Sequence, residues 1–177
     1  MNRRRAFTWL EFRWQLAIFL ILTALLIPKF MGARENARRA NCQSNLKQIG
    51  LALQQYVTDN GGDLPSRHWP ALLKPYIKED RVFRCSTTSG PKGASDYFFH
   101  ARFLEKPLKG SASPPTLILL GDGNDGLPLA RFPDSWRTDE NSPAWRHIEG
   151  ANYCFADGHV KWLKSKRVTD DFRMVIP

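Results

Sequence analysis

The chain has 177 residues, of which 42% are hydrophobic and 24% charged, a size that fits one small domain plus an anchoring segment. Its formal charge of +9 is unevenly spread: residues 1 to 50 hold nine Lys/Arg against two Asp/Glu, leaving 17 against 15 for the remainder. The remainder is therefore close to neutral, without the basic stripe that a phosphate backbone selects, and no nucleic-acid partner is expected.

Taken in order, the chain opens with Arg3, Arg4 and Arg5 and then an apolar run, Leu16 to Ile27, broken only by Thr23. Two ordinary readings compete. A secretory signal peptide has a short apolar core but should be followed by a small-residue cleavage site, and no Ala-x-Ala site follows here. A simple transmembrane anchor needs about 20 apolar residues, and Phe7 to Met31 supplies that length only with Glu11, Arg13 and Gln15 at or near the interface. No Gly or Asn stops the helical pattern, which continues as Cys42, Leu46, Ile49, Leu53 and Tyr56. Those steps of four and three line one face of an amphipathic helix, which Asn60, Gly61 and Gly62 end. Glu11 is the anomaly. A carboxylate in a membrane helix costs about 2.5–3.5 kcal/mol and marks a partner. Arg13 lies on the wrong side of the helix to be that partner.

Beyond Gly62 the expected pieces are short. Asp63 to Pro70 reads as a loop, Ala71 to Ile77 as a helical turn interrupted at Pro75, and Arg81 to Cys85 as a short strand. Asp96 to Phe103 is aromatic enough for a strand, Thr116 to Leu120 fits a central strand, and Arg131 to Ala144 reads as a surface loop. Ala151 to Ala156 and His159 to Leu163 flank Asp157-Gly158, a two-residue hairpin signal. That register pairs Phe155 with Val160 and Tyr153 with Trp162, and puts these four on the face that packs on the helix. Cys154, Ala156, His159 and Lys161 take the other. Three cysteines allow at most one intramolecular disulfide, and all three could equally be buried hydrophobes. No Ser or Cys nucleophile is tied by spacing to a His, so no enzymatic activity is expected.

The block Phe7-Thr8-Trp9-Leu10-Glu11, followed by apolar residues, Pro28 and a basic amphipathic helix, resembles the N-terminus of type IV pilins and type II secretion pseudopilins. Ala33 to Arg39 and Asn45 to Leu53 resemble one branch of these, the prepilin-like proteins with a C-terminal His-x9-Asp-Gly signature. Here His147 and Asp157-Gly158 stand at that spacing. The resemblance implies an α+β fold in which a long N-terminal helix packs on a small antiparallel β-sheet head. It implies a basic leader at residues 1–6, a membrane-embedded half at 7–31, an amphipathic half at 32–60, and a head at 61–177 that contains a hairpin at 151–163. A prepilin peptidase would cut between Ala6 and Phe7, the new amine would be methylated, and Glu11 would meet the amine of a neighbouring subunit. The implied partners are other pilin-like subunits, inner-membrane assembly machinery and the lipid bilayer. The implied place is the bacterial inner membrane, single-pass, with the head outside the cytoplasm.

The family's cysteine positions further imply a Cys42–Cys85 disulfide. Because some pseudopilin heads carry calcium, Asp122 and Asp125 are the candidate metal ligands, although Asp122-Gly123-Asn124-Asp125-Gly126 fails the calcium-loop spacing. Turn chemistry accounts for Asp157-Gly158 without catalysis, and His147 is expected to fix the start of the hairpin. The competing reading is an uncleaved single-span exported protein whose head binds a ligand or metal.

Overall fold

The fold is taken from a computed structural model, which describes residues 9–88, 94–100, 103–107, 116–123, 146–148 and 150–164. The chain divides into two compact units, Met1–Asn36 and Ala37–Pro177. Helix α1, Trp9–Asp59, supplies the described residues of the first unit and opens the second.

In the first unit the large apolar side chains, among them Leu10, Ile18, Leu22, Leu26 and Met31, are all exposed. Among the described residues α1 is the one helix long and apolar enough to cross a membrane. Pro28 lies inside it and removes the N–H that would have bonded the carbonyl of Ala24. Thr23 satisfies its hydroxyl locally by donating to the carbonyl of Phe19 at 2.8 Å, which lets a polar residue sit in the apolar run.

In the second unit α1 becomes one-sided. Cys42, Leu46, Ile49, Gly50, Ala52 and Leu53 are buried, with Tyr56 packed at the edge of the same core, as the four-and-three spacing predicts. The helix stops where the chain turns left-handed: Gly61 has φ +68 and the Gly62 N–H reaches back to the Val57 carbonyl at 2.8 Å. A residue with a Cβ would resist that geometry. Helix α2, Trp69–Leu73, starts with Pro70 in its first turn, where a missing N–H costs nothing, and a 3-10 turn at Lys74–Tyr76 accommodates Pro75. The short strand expected at Arg81 to Cys85 is instead a 3-10 turn, Asp80–Phe83. Val82 and Phe83 are both buried. A strand would point consecutive side chains to opposite faces, whereas the tighter turn delivers both to the same core.

Four antiparallel strands form one sheet in the order β1-β2-β3-β4: β1 Tyr97–Phe99, β2 Ile118–Asp122, β3 Gly150–Phe155 and β4 Val160–Lys164. The expected α+β arrangement is therefore present. Strand β2 ends two residues later than expected, which draws Asp122 into the sheet opposite Tyr97. The expected loop at Arg131 to Ala144 lies outside the described residues.

The hairpin register differs from the two-residue reading. Cys154 pairs with Val160, Tyr153 with Lys161 and Asn152 with Trp162. The Phe155 N–H bonds the His159 carbonyl and the Gly158 N–H bonds the Phe155 carbonyl, with Gly158 at φ +82. That is a three-residue loop closed by a left-handed glycine, and the one-residue slip exchanges the two faces of β3. Val160 and Trp162 of β4 keep the expected side, Val160 packed on the core and the Trp162 ring under Arg39 of α1. Cys154 now faces α1, while Tyr153 stacks edge-on with Phe98 on the far side.

The seam between α1 and β3 is so close that a Cβ built on Gly50 would lie 2.6 Å from the Cys154 Sγ. Gly50→Ala should therefore lower stability by about 1–3 kcal/mol through overpacking. Removing the sulfur with Cys154→Ala should reverse the sign. Against the Cys154→Ala background, Gly50→Ala should raise the thermal midpoint, because alanine is about 1 kcal/mol better than glycine inside a helix.

Candidate functional site

Three segments far apart in sequence meet beneath α1 in the second unit. Cys42 and Cys85 are joined by a disulfide across 43 residues of chain. Cys85 leaves the 3-10 turn in an extended backbone that Asp96 holds: its N–H donates to the Asp96 Oδ2 at 3.0 Å, while Arg84 pairs with the Oδ1 at 2.9 Å. Tyr97 braces the same corner, its hydroxyl 3.4 Å from the carbonyls of Cys42 and Arg84.

His147 completes the cluster and is fully buried. Its N–H donates to the Gly150 carbonyl at 3.0 Å and its own carbonyl accepts the Trp162 indole N–H at 2.8 Å. The residue thus ties the approach to β3 to strand β4. Its Nε2 lies 3.4 Å from the Cys85 Sγ and 3.6 Å from the Asp122 Oδ2. Asp122 is itself fully buried and accepts the Asn152 N–H at 2.6 Å. Burial pushes its carboxyl pKa up, against the opposing pull of His147, Arg146 and the Asn152 bonds. Asp125, its expected companion, lies outside the described residues.

The Asp157-Gly158 turn sits against α1. Asp157 accepts the His159 N–H at 3.0 Å and pairs with its ring at 2.5 Å, and that ring stacks on Phe155 with centroids 4.1 Å apart. Lys47 donates to the Gly158 carbonyl at 2.7 Å, and a Cβ on Gly158 would meet the Gln54 amide. The glycine serves two needs, a left-handed backbone and close approach of the helix. Burial works to raise the Asp157 pKa, but the His159 N–H and ring outweigh it, and the net shift is downward.

Glu11 lies in the first turn of α1 and is exposed. Ala6 and Phe7 fall outside the described residues. Several contributors carry no signal in the sequence: Asp96, Tyr97 and Asn152 gain their roles only from long-range pairing. Lys47 alone could have been noticed, as a cation one position beyond the buried Leu46.

Comparison with known proteins agrees with this architecture. Residues 31–71 match a family described as a protein of unknown function (SBP_bac_10, DUF1559). The type II secretion system core protein G of Klebsiella pneumoniae is 38% identical over 60 residues, 34% of this chain and 43% of that protein. The protein of the same name from Pectobacterium carotovorum subsp. carotovorum is 36% identical over 58 residues, 33% of this chain and 37% of that protein. The match spans less than half the length of these curated relatives. No solved structure matches. The names of both relatives describe a core component of a secretion system. In fold and in sequence the chain is similar to pilins and pseudopilins.

Two outcomes test the turn. Gly158→Ala should cost about 1–2 kcal/mol from the left-handed backbone, read as a fall in the denaturant midpoint. The lowered Asp157 pKa means the folded state holds that proton less tightly than the unfolded chain. Its contribution is therefore present above the ordinary value of 3.8 and is lost as pH falls through the lowered one. In Asp157→Asn the acid-dependent loss of stability should be smaller, measured by thermal unfolding against pH.

Proposed function

We propose that the chain is a membrane-anchored pseudopilin-like structural subunit that assembles through α1 into a pilus or secretion-type filament. The observation that carries this reading is the wholly exposed apolar surface of α1 from Leu10 to Met31. In water such a surface would be costly; against acyl chains and the same segment of neighbouring subunits it is stabilising. The similarity to secretion-system core proteins supports the same role.

Glu11 then has a definite task. Cleavage between Ala6 and Phe7 by a prepilin peptidase would leave an ammonium at Phe7, methylated afterwards. That charge on one subunit offsets the desolvation of Glu11 on the next, since either group alone is expensive in the bilayer. The subunit would reside in the bacterial inner membrane as a single-pass protein, with the head outside the cytoplasm and its assembly driven by inner-membrane machinery. Ala6 stands where the family usually has Gly, and Trp9 and Arg13 replace aliphatic residues, so cleavage is the step to measure.

Intact-mass measurement of the chain purified from membranes should give an N-terminus at methylated Phe7. An intact Met1 would favour the uncleaved single-span binding protein instead. Glu11→Gln should leave the chain in the membrane fraction and reduce its crosslinking to neighbouring subunits at least tenfold; unchanged crosslinking would remove Glu11 from assembly.

A further inference from the structure

Beyond the assembly role, the buried cluster has a composition that a disulfide alone does not require. The ligating atoms of Cys42, Cys85 and His147 all lie within 4.8 Å of one another. Asp122 stands outside that group of three, but its carboxylate comes within 3.6 Å of the same imidazole nitrogen. Its Oδ1 is buried and has no hydrogen-bond partner among the described residues, an unusual state for a carboxylate oxygen. With zinc–sulfur bonds of about 2.3 Å and zinc–nitrogen or zinc–oxygen bonds of about 2.0 Å, tetrahedral ligands stand roughly 3.3–3.8 Å apart. Both contacts of the His147 Nε2, 3.4 Å to sulfur and 3.6 Å to oxygen, fall in that range.

The surroundings also suit thiolates. The Ser86 N–H donates to the Cys42 Sγ at 3.2 Å, and the Thr87 hydroxyl lies 3.6 Å from the Cys85 Sγ. Donors aimed at sulfur stabilise the negative charge that a metal-bound thiolate carries and orient the ligand. Cys85 also lines a cavity of about 600 Å³ shared with Asn45, Lys78, Arg84 and Ser86, which provides a route inward.

We infer that Cys42, Cys85 and His147 hold a zinc ion when the Cys42–Cys85 disulfide is reduced, with the Asp122 carboxylate moving in from beside the imidazole as the fourth ligand, so that the head carries two interchangeable clasps. A dithiol reductant attacks one sulfur and forms a mixed disulfide. Its second thiol then releases the cysteine and closes the reductant as a cyclic disulfide. Two electrons pass to the protein and the cysteines end as thiols. Zinc binding displaces their two protons and leaves two thiolates, a neutral imidazole and a carboxylate around the metal. Soft sulfur with imidazole favours zinc over calcium or magnesium. Cys154 takes no part: it is buried on the α1–β3 seam and its thiol pKa is pushed up to about 12 by burial.

The test uses the full chain in detergent, reduced with a water-soluble phosphine, which is itself oxidised to the phosphine oxide with the oxygen of water. The probe is cobalt(II). The reduced chain should bind one cobalt with a thiolate-to-cobalt charge-transfer band that zinc abolishes, whereas the oxidised chain shows no band. Cys85→Ser and His147→Gln should weaken binding more than tenfold, Asp122→Asn about tenfold or more, and Cys154→Ser not at all. The comparison of reduced with oxidised wild type needs no variant, so misfolding of a variant cannot hide the result. Absence of the band in the reduced wild type, or its persistence at full affinity in Cys85→Ser, would overturn the proposal.

Discussion

The second unit depends on one seam, the face of α1 from Cys42 to Leu53 laid against the sheet. Strands β2 and β3 are buried along their whole length, so neither can leave a side chain in water. Burying Leu46, Ile49 and Leu53 contributes about 1.5–3 kcal/mol per side chain. The seam also dictates residue size. Gly50 is needed because Cys154 faces it, and Cys154 faces it because the ribbon turns through three residues rather than two. A larger residue at either place would separate the helix from the sheet. Polar contacts then fix where along the helix the sheet sits: Gln43 to the Val160 carbonyl at 3.4 Å, Lys47 to the Gly158 carbonyl at 2.7 Å and Asn45 to the Arg84 carbonyl at 2.8 Å.

The seam explains which parts of the fold were legible in the sequence. The buried face of α1 was readable because helical periodicity is a local property, and its end at Gly61 because a left-handed stop needs a glycine. The location of the hairpin was readable too, since Asp157-Gly158 breaks two apolar runs. Its register was not. An Asp-Gly pair serves either a two-residue loop or a three-residue loop with a left-handed glycine, and only the demand that Cys154 meet Gly50 separates them. The Arg81 to Cys85 strand failed for a related reason. Val82 and Phe83 have strand-forming side chains, but tertiary packing wanted both on one side.

The His147 cluster was less accessible still. His147 stood out through its spacing from Asp157-Gly158, and the positions of Cys42 and Cys85 through resemblance to a family. Nothing local joined Asp122 to either. In sequence Asp122 stood out only as a candidate metal ligand beside Asp125, whereas pairing with Tyr97 on one side and the Asn152 N–H on the other draws it into the sheet. A carboxylate buried in a sheet is expensive unless something nearby favours its charge. His147 and Arg146 do so only because the chain turns at residues 146–148, with Ile148 at φ +52. That is an unfavourable conformation for a β-branched residue, and the bonds from His147 to Gly150 and Trp162 hold it in place.

A cross-link between α1 and the loop before β1 has a clear physical use in so small a unit. Closing 43 residues of chain removes loop entropy from the unfolded state, worth on the order of 4 kcal/mol in the chain-entropy account. For a domain whose net stability is about 5–15 kcal/mol, that is a large share. The imidazole and carboxylate beside the sulfurs matter for the same reason. If the disulfide were the only clasp, its reduction would remove that contribution outright, and the buried Asp122 would gain nothing in exchange. A metal held by the same residues closes the same loop and neutralises the carboxylate as well. The clasp then tolerates a change of redox surroundings while the α1 face, the Gly50 contact and the ribbon register stay as they are.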